Sequence, residues 1–171
     1  LMARSPVLVW RNATRIRLIT AFRAAFEAPE TALLPGEPLI CDGIDLPLKH
    51  RKKRLDLEAR GLIKGAQVIY LGPGRRGGFA RLHVLGAEDP QVSAASIIRI
   101  ELPDEAEPVL PDPAQMGAVF LHGAAVTIHK AQGSQWDGVQ VFGPDIAAAA
   151  RSGRVDAGQP LWKRLAYVAI T

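Results

Sequence analysis

The chain has 171 residues, 48% of them hydrophobic, and carries 21 Lys+Arg against 17 Asp+Glu, a net charge of +4. That is enough apolar material for a real core, and too mild a charge excess to name an anionic partner unless the cations cluster. One cysteine, Cys41, excludes an internal disulfide. Four scattered histidines without CxxC or HExxH spacing exclude a recognisable tetrahedral metal site, and the absence of an apolar run of about 18 residues excludes a membrane-spanning helix. The expectation is a soluble cytoplasmic protein with no metal site of its own.

In chain order, "PVLVW" (6–10) is a short β-branched run and "ATRIRLITAFRAAF" (13–26) spaces Ile16, Ile19 or Thr20, Phe22 or Arg23, and Phe26 at about helical intervals with arginines between, so a strand followed by a helix is predicted. Pro29 and "LLPGEP" end it. From Gly36 to Pro113 the texture changes. The short runs "PLIC", "AQVIYLG", "FARLHVLG" and "SIIRIELP", separated by Gly, Pro and charged clusters, predict a small antiparallel β unit rather than helices, with enough short strands to close a small barrel. After Pro113 the pattern returns to α/β. Strands are expected near "AAVTI" and "VQVFG", an Ala-rich helix near "DIAAAARSG", and a last helix in "PLWKRLAYVAIT" with Leu161, Leu165 and Val168 on one side. The organisation predicted is an α/β domain (1–35 and 114–171) interrupted by a β insertion (36–113). The start at Leu1-Met2 and the end at Thr171, inside an apolar segment, read as those of a fragment.

Three stretches carry chemistry. "GPGRRGG" (72–78) is glycine-rich but lacks the GK[ST] ending of a P-loop and joins two strand-like runs, so a hairpin loop is expected, with Arg75 and Arg76 available for phosphate contact. "KHRKKR" (49–54) gathers five permanent cations, Lys49, Arg51, Lys52, Lys53 and Arg54. Such a run is either a solvated face or a contact to a nucleic-acid backbone. Trp162 is read as core, and Trp136 is left open as core or base-stacking. Third, "VTIHKAQGSQWDGVQV" (126–141) breaks an apolar run with hydroxyl, imidazole, ammonium and carboxamide groups and a glycine. At the carboxyl end of a parallel strand, such an elbow is where α/β sheets bind ligands.

"AAVTIHKAQGSQWDGVQVF" resembles motif V of superfamily 1 DNA helicases, in particular the RecD/Dda-like branch with its phage and prophage relatives. "KRLAYVAIT" is similar to the start of their motif VI, and "VLVWRNATRIRLITAF" to the strand and helix that open their second RecA-like domain. The resemblance implies a second RecA-like domain interrupted by a small SH3-like barrel. It implies Thr127, His129 and Asn12 toward single-stranded DNA, with Lys49, Arg51, Lys52, Lys53, Arg54, Arg75 and Arg76 as further backbone contacts. Lys130, Gln132, Gly133, Gln135 and Arg11 would lie toward the cleft shared with the first RecA-like domain. The implied cofactors are ATP and Mg2+, held mainly by that first domain, whose P-loop and acidic motif are not in this sequence; the motif VI arginine is not in it either. The partners implied are single-stranded DNA, the N-terminal RecA-like domain and, if the parent is the helicase subunit of an exodeoxyribonuclease complex, nuclease subunits. A chain with these gaps is expected to be inactive alone as an ATPase. The alternative from another class is a non-catalytic nucleic-acid-binding module.

Overall fold

The computed structural model describes residues 5–171, so the reading of Leu1 and Met2 falls outside them. Val7–Val9 (β1) feeds the helix Asn12–Ala25 (α1), as its β-branched run and following helical spacing require. β1 is the middle strand of a three-stranded parallel sheet. Ala125–Thr127 (β7) pairs with it on one side and Gln140–Val141 (β8) on the other.

Between α1 and β7 the chain builds a closed five-stranded barrel. Its strands are Pro38–Asp45 (β2), Gln67–Pro73 (β3), Phe79–Val84 (β4), Gln91–Arg99 (β5) and Gly117–His122 (β6). Two features depart from the expected antiparallel unit. Gly117–His122, left by the sequence reading to the closing α/β segment, supplies the fifth strand, and it runs parallel to β5. A parallel pair needs a crossover connection, which residues 100–116 provide, held back on the barrel by the Ile100–Val109 bridge. Closure there needs glycine: a Cβ on Gly117 would lie 2.1 Å from the Ala95 carbonyl oxygen.

A further correction concerns the basic run. Leu48–His50 forms a single 3-10 turn that leads into a helix, Arg51–Ala59 (α2), in a region expected to hold no helix. Only Leu57 of α2 is buried, so no apolar stripe marks it in the sequence.

Side-chain alternation along β2 joins the two parts of the molecule. Leu39 and Cys41 point into the barrel core with Val68, Leu82, Ile98 and Phe120, while Ile40 between them enters a second core with Leu8, Val126, Ile128, Ala149, Leu161 and Leu165. That second core is closed by Gly143–Arg151 (α4) and Leu161–Ile170 (α5), with a two-residue hairpin, Val155–Asp156 (β9) and Gln159–Pro160 (β10), between them. The face α5 buries is Leu161, Leu165 and Ala169, one residue every four. Trp162 lies off that stripe and is exposed, which corrects its reading as core.

The face α1 buries is also not the apolar stripe expected. It consists of Arg15, Ile19 and Arg23, again four residues apart, while Phe26 is exposed. Both arginines reach carboxylates on barrel segments. Arg15 pairs with Glu101 and also donates from Nε to the Asn12 side-chain oxygen at 2.7 Å. Arg23 donates from Nε to Glu37 at 2.8 Å. His122 completes the second cluster. The Ala124 N–H donates to its Nδ1 at 3.2 Å, so Nε2 carries the hydrogen and donates to Glu37 at 2.8 Å. Burial pushes the Glu37 carboxyl up, but hydrogen bonds from His122, Arg23 and the Leu34 N–H outweigh it and hold the group at about 2. Two ion pairs, each with a buried arginine, and Ile40 thus pin the barrel against α1 and β7. No helix among the described residues is long and apolar enough to cross a membrane.

Candidate functional site

β7 ends at Thr127, and the chain turns at once into the four-residue helix Ile128–Ala131 (α3). Ile128 and Ala131 face inward and anchor this elbow in the second core. That leaves His129, Gln132, Gly133 and Gln135 exposed and Thr127 and Lys130 half-buried. Gly133 takes the left-handed conformation, φ 82°, that lets the chain reverse after Gln132. The Ser134 N–H then returns to the Ala131 carbonyl at 3.0 Å.

The elbow forms one wall of a cleft of about 1250 Å³ whose other wall is the barrel. His129, Lys130, Gln132, Gly133, Ser134, Gln135 and Trp136 line one side, and Ile63 to Gln67 with Val84 to Ala87 line the other. Two polar ties join the elbow to the barrel. Lys130 Nζ lies 2.6 Å from Asp42 Oδ1 on β2, and the Gln67 side-chain amide donates to the Gln135 carbonyl at 3.1 Å. Trp136, left open by its sequence, is half-buried against the second core and also lines the cleft. Thr127 opens onto a neighbouring groove of about 570 Å³ that it shares with Asn12, Arg15, Arg99 and Lys130. Lys130 stands between the two spaces.

Arg11 lies at the carboxyl end of β1, and its surroundings centre on a residue the sequence reading passed over. Asp145, fully buried in the first turn of α4, accepts the Trp10 and Arg11 backbone N–H groups on Oδ2, both at 2.9 Å. Its Oδ1 accepts Arg11 Nε at 2.9 Å, Arg11 Nη2 at 2.6 Å and the Thr14 hydroxyl at 2.9 Å. Burial would raise this carboxyl; the bonds from Arg11, Thr14 and Trp10 together hold it below its ordinary value. The Arg11 side chain nonetheless remains 53% exposed. Asp145 was invisible as a site residue because its partners lie more than a hundred positions away in the chain. The only local signal is an acid in the first turn of an Ala-rich helix.

The basic residues lie elsewhere. Lys49, Arg51, Lys52, Lys53 and Arg54 are exposed on the 3-10 turn and α2, with Arg54 bonded to Glu58 one turn on at 3.0 Å. Arg75 and Arg76 are exposed in the β3–β4 turn, so "GPGRRGG" is a hairpin loop here. None of these seven lines the cleft or the groove beside the elbow. The predicted residues therefore fall into three groups: the elbow with Asn12 around the two openings, Arg11 on Asp145, and the separate cations of the barrel.

Residues 122–171 match the UvrD-like helicase C-terminal domain family. No curated protein sequence matches the chain. Among solved structures, the fold is similar to that of the Pif1 helicase from Bacteroides in complex with ADP-AlF3 and single-stranded DNA, with a TM-score of 0.51 at 12% identity over 96% of this chain. A structure of two coordinating Pif1 helicases at forked DNA gives 0.49 at 10% identity over 98% of the chain, and unliganded Pif1 from Bacteroides sp. gives 0.46 at 12% over 85%. The chain spans 38%, 37% and 48% of those helicases respectively. The family match is confined to the last 50 residues, and the likeness to the first of these structures is one of fold.

Proposed function

We propose that this chain is part of the second RecA-like domain, with its inserted SH3-like barrel, of an ATP-dependent DNA helicase of the RecD/Dda-like branch, and that the elbow Thr127–Gln135 is where that motor holds single-stranded DNA. The observation that carries the reading is the position of the elbow. A polar turn at the carboxyl end of a parallel strand, anchored by Ile128 and Ala131 but open to solvent at His129, Gln132 and Gln135, faces a cleft of about 1250 Å³. The family match covers this segment.

In this reading Thr127 and Asn12 donate hydrogen bonds to backbone phosphates from the smaller groove, and His129 lies against the strand in the larger one. Lys130, tied to Asp42, couples any movement of the elbow to the barrel. The cations of α2 and of the β3–β4 turn add sequence-independent attraction at a distance. ATP binds between this domain and a first RecA-like domain. The free edge of Arg11 fits a phosphate oxygen, and the exposed Gln132, Gly133 and Gln135 line the moving side. Among the described residues no group of His, Cys, Asp and Glu could hold a metal ion, so Mg2+ is assigned no ligand in this chain. Closing and reopening of the two domains alternately tightens and loosens the elbow on the strand. The chain alone is expected to show no ATPase activity.

The test is binding of a fluorescent oligothymidylate to the chain and to a Thr127→Ala/His129→Ala variant, followed by anisotropy. Both side chains are outside the core, so the variant folds. A loss of affinity of about tenfold is expected from two removed polar contacts. Equal affinities would remove the elbow from strand binding.

A further inference from the structure

The two walls of the cleft differ in chemistry. On the elbow, His129, Lys130, Gln132 and Gln135 offer imidazole, ammonium and carboxamide groups. The barrel wall is apolar. Its two large side chains, Ile63 and Leu85, are 56% and 38% exposed, although the residues just before them, Leu62 and Val84, are buried in the barrel core. Lys64 is the one charged group among the described residues of that wall, and the Gln67 side-chain amide is committed to the Gln135 carbonyl.

Ile63 and Leu85 belong to one continuous surface, because the segments that carry them lie side by side. The Leu85 N–H donates to the Gln67 carbonyl at 3.0 Å, and a Cβ on Gly61 would stand 3.1 Å from Val84 Cγ1. The Ile63 turn is itself tied down. Its carbonyl accepts the Ala66 N–H at 2.9 Å, and the Gly65 N–H reaches the Cys41 carbonyl on β2 at 2.8 Å. Large aliphatic groups held out of a core by a fixed backbone, in a concave place and opposite a polar wall, mark a binding surface. What fits between such walls carries polar groups along one edge and flat apolar faces along the other. An unpaired nucleic-acid strand has that form, with phosphates on one side and bases on the other, whereas a duplex hides its base faces in the stack. Contact with a base face is also indifferent to which base it is.

We propose that Ile63 and Leu85 form a base platform. They take the base faces of a strand whose phosphates lie toward the elbow, and so make the cleft select unpaired over paired nucleic acid without reading its sequence. The inference rests on the proposed function for the presence of the strand; it adds the strand's orientation and the residues that discriminate against a duplex.

The experiment follows three fluorescent probes by anisotropy: oligothymidylate, a strand of the same length built from abasic tetrahydrofuran units, and the duplex of oligothymidylate with oligodeoxyadenylate. The parent chain should bind oligothymidylate about tenfold more tightly than the abasic strand. Ile63→Ser/Leu85→Ser should bring oligothymidylate down to the level of the abasic strand and narrow the preference over duplex. Its abasic affinity and salt dependence should not change, since the phosphate contacts remain. Both side chains lie outside the two cores, so the variant folds, and Ile63→Phe/Leu85→Phe, which keeps an apolar platform, should retain the oligothymidylate affinity. Equal binding of oligothymidylate and abasic strand by the parent overturns the proposal and leaves the wall to an apolar polypeptide segment. Equal losses for both strands in the Ser variant overturn it too. The elbow is read separately, because Thr127→Ala/His129→Ala should weaken oligothymidylate and the abasic strand alike. That result without discrimination by the parent keeps the elbow and removes the platform. Discrimination that the Ser variant loses, with unchanged binding in the Thr127/His129 variant, removes the elbow and overturns the orientation while the base contact stands. Binding of none of the probes overturns both.

Discussion

Replacing Glu37 by Gln removes the charge at the centre of the cluster that holds the barrel to α1 and β7. In the folded chain the carboxyl sits at about 2 against an ordinary 4.5, and its side chain is only 12% exposed. Because its folded value is depressed, its contribution to stability is fully present above pH 4.5 and is lost as the pH falls through about 2. The interval corresponds to about 3 kcal/mol. The Gln variant keeps the shape but offers Arg23 and His122 no charge. It should therefore be less stable than the parent by about 3 kcal/mol at pH 7, with the gap narrowing steadily below pH 4.5 and nearly closed near pH 2. Urea denaturation followed by circular dichroism at a series of pH values measures it. A gap that stays constant from pH 7 to pH 2, or one below about 0.5 kcal/mol at pH 7, would refute the reasoning.

Three other outcomes are expected. Gly117→Ala places a Cβ 2.1 Å from the Ala95 carbonyl oxygen, so it should cost at least about 2 kcal/mol and expose β5 and β6 amides to hydrogen exchange before those of β1 and β7; uniform exchange would argue against a strained closure. Changing Lys49, Arg51, Lys52, Lys53 and Arg54 together to Ala should leave the helical signal intact and flatten the salt dependence of oligothymidylate binding, whereas an unaltered slope returns α2 to a solvated face. A double-mutant cycle on Lys130 and Asp42, which are 33% and 25% exposed, should give a coupling of about 0.5–1 kcal/mol, and a value near zero would mean that the pair does not tie the elbow to the barrel.

What could be read in advance followed from local pattern. The β-branched run at 7–9, the polar break at 127–135 and the i, i+4 spacing of Leu161 and Leu165 each report a structure determined within a few residues. What could not be read depends on partners distant in the chain. Arg15 and Arg23 look like surface residues on an amphipathic helix until Glu101 and Glu37 arrive from barrel segments. Asp145 looks like an ordinary first-turn acid until Arg11 folds onto it. α2 was hidden by its own charge, since a helix that buries one leucine shows no apolar period. Trp162 was misplaced because size and hydrophobicity favour burial on average, while the packing of α5 is decided by which residues share the Leu161–Leu165 stripe.

The proposed function puts a nucleic-acid strand in the cleft between the elbow and the barrel. Its most direct test is photocrosslinking of the chain to an oligothymidylate carrying 5-iododeoxyuridine at successive positions, with the crosslinked peptides identified by mass spectrometry. Crosslinks to His129 and Trp136 on one wall and to residues between Ile63 and Gln67 on the other are predicted. Crosslinks confined to α2, or to the far end of α1 around Phe26, would contradict the account.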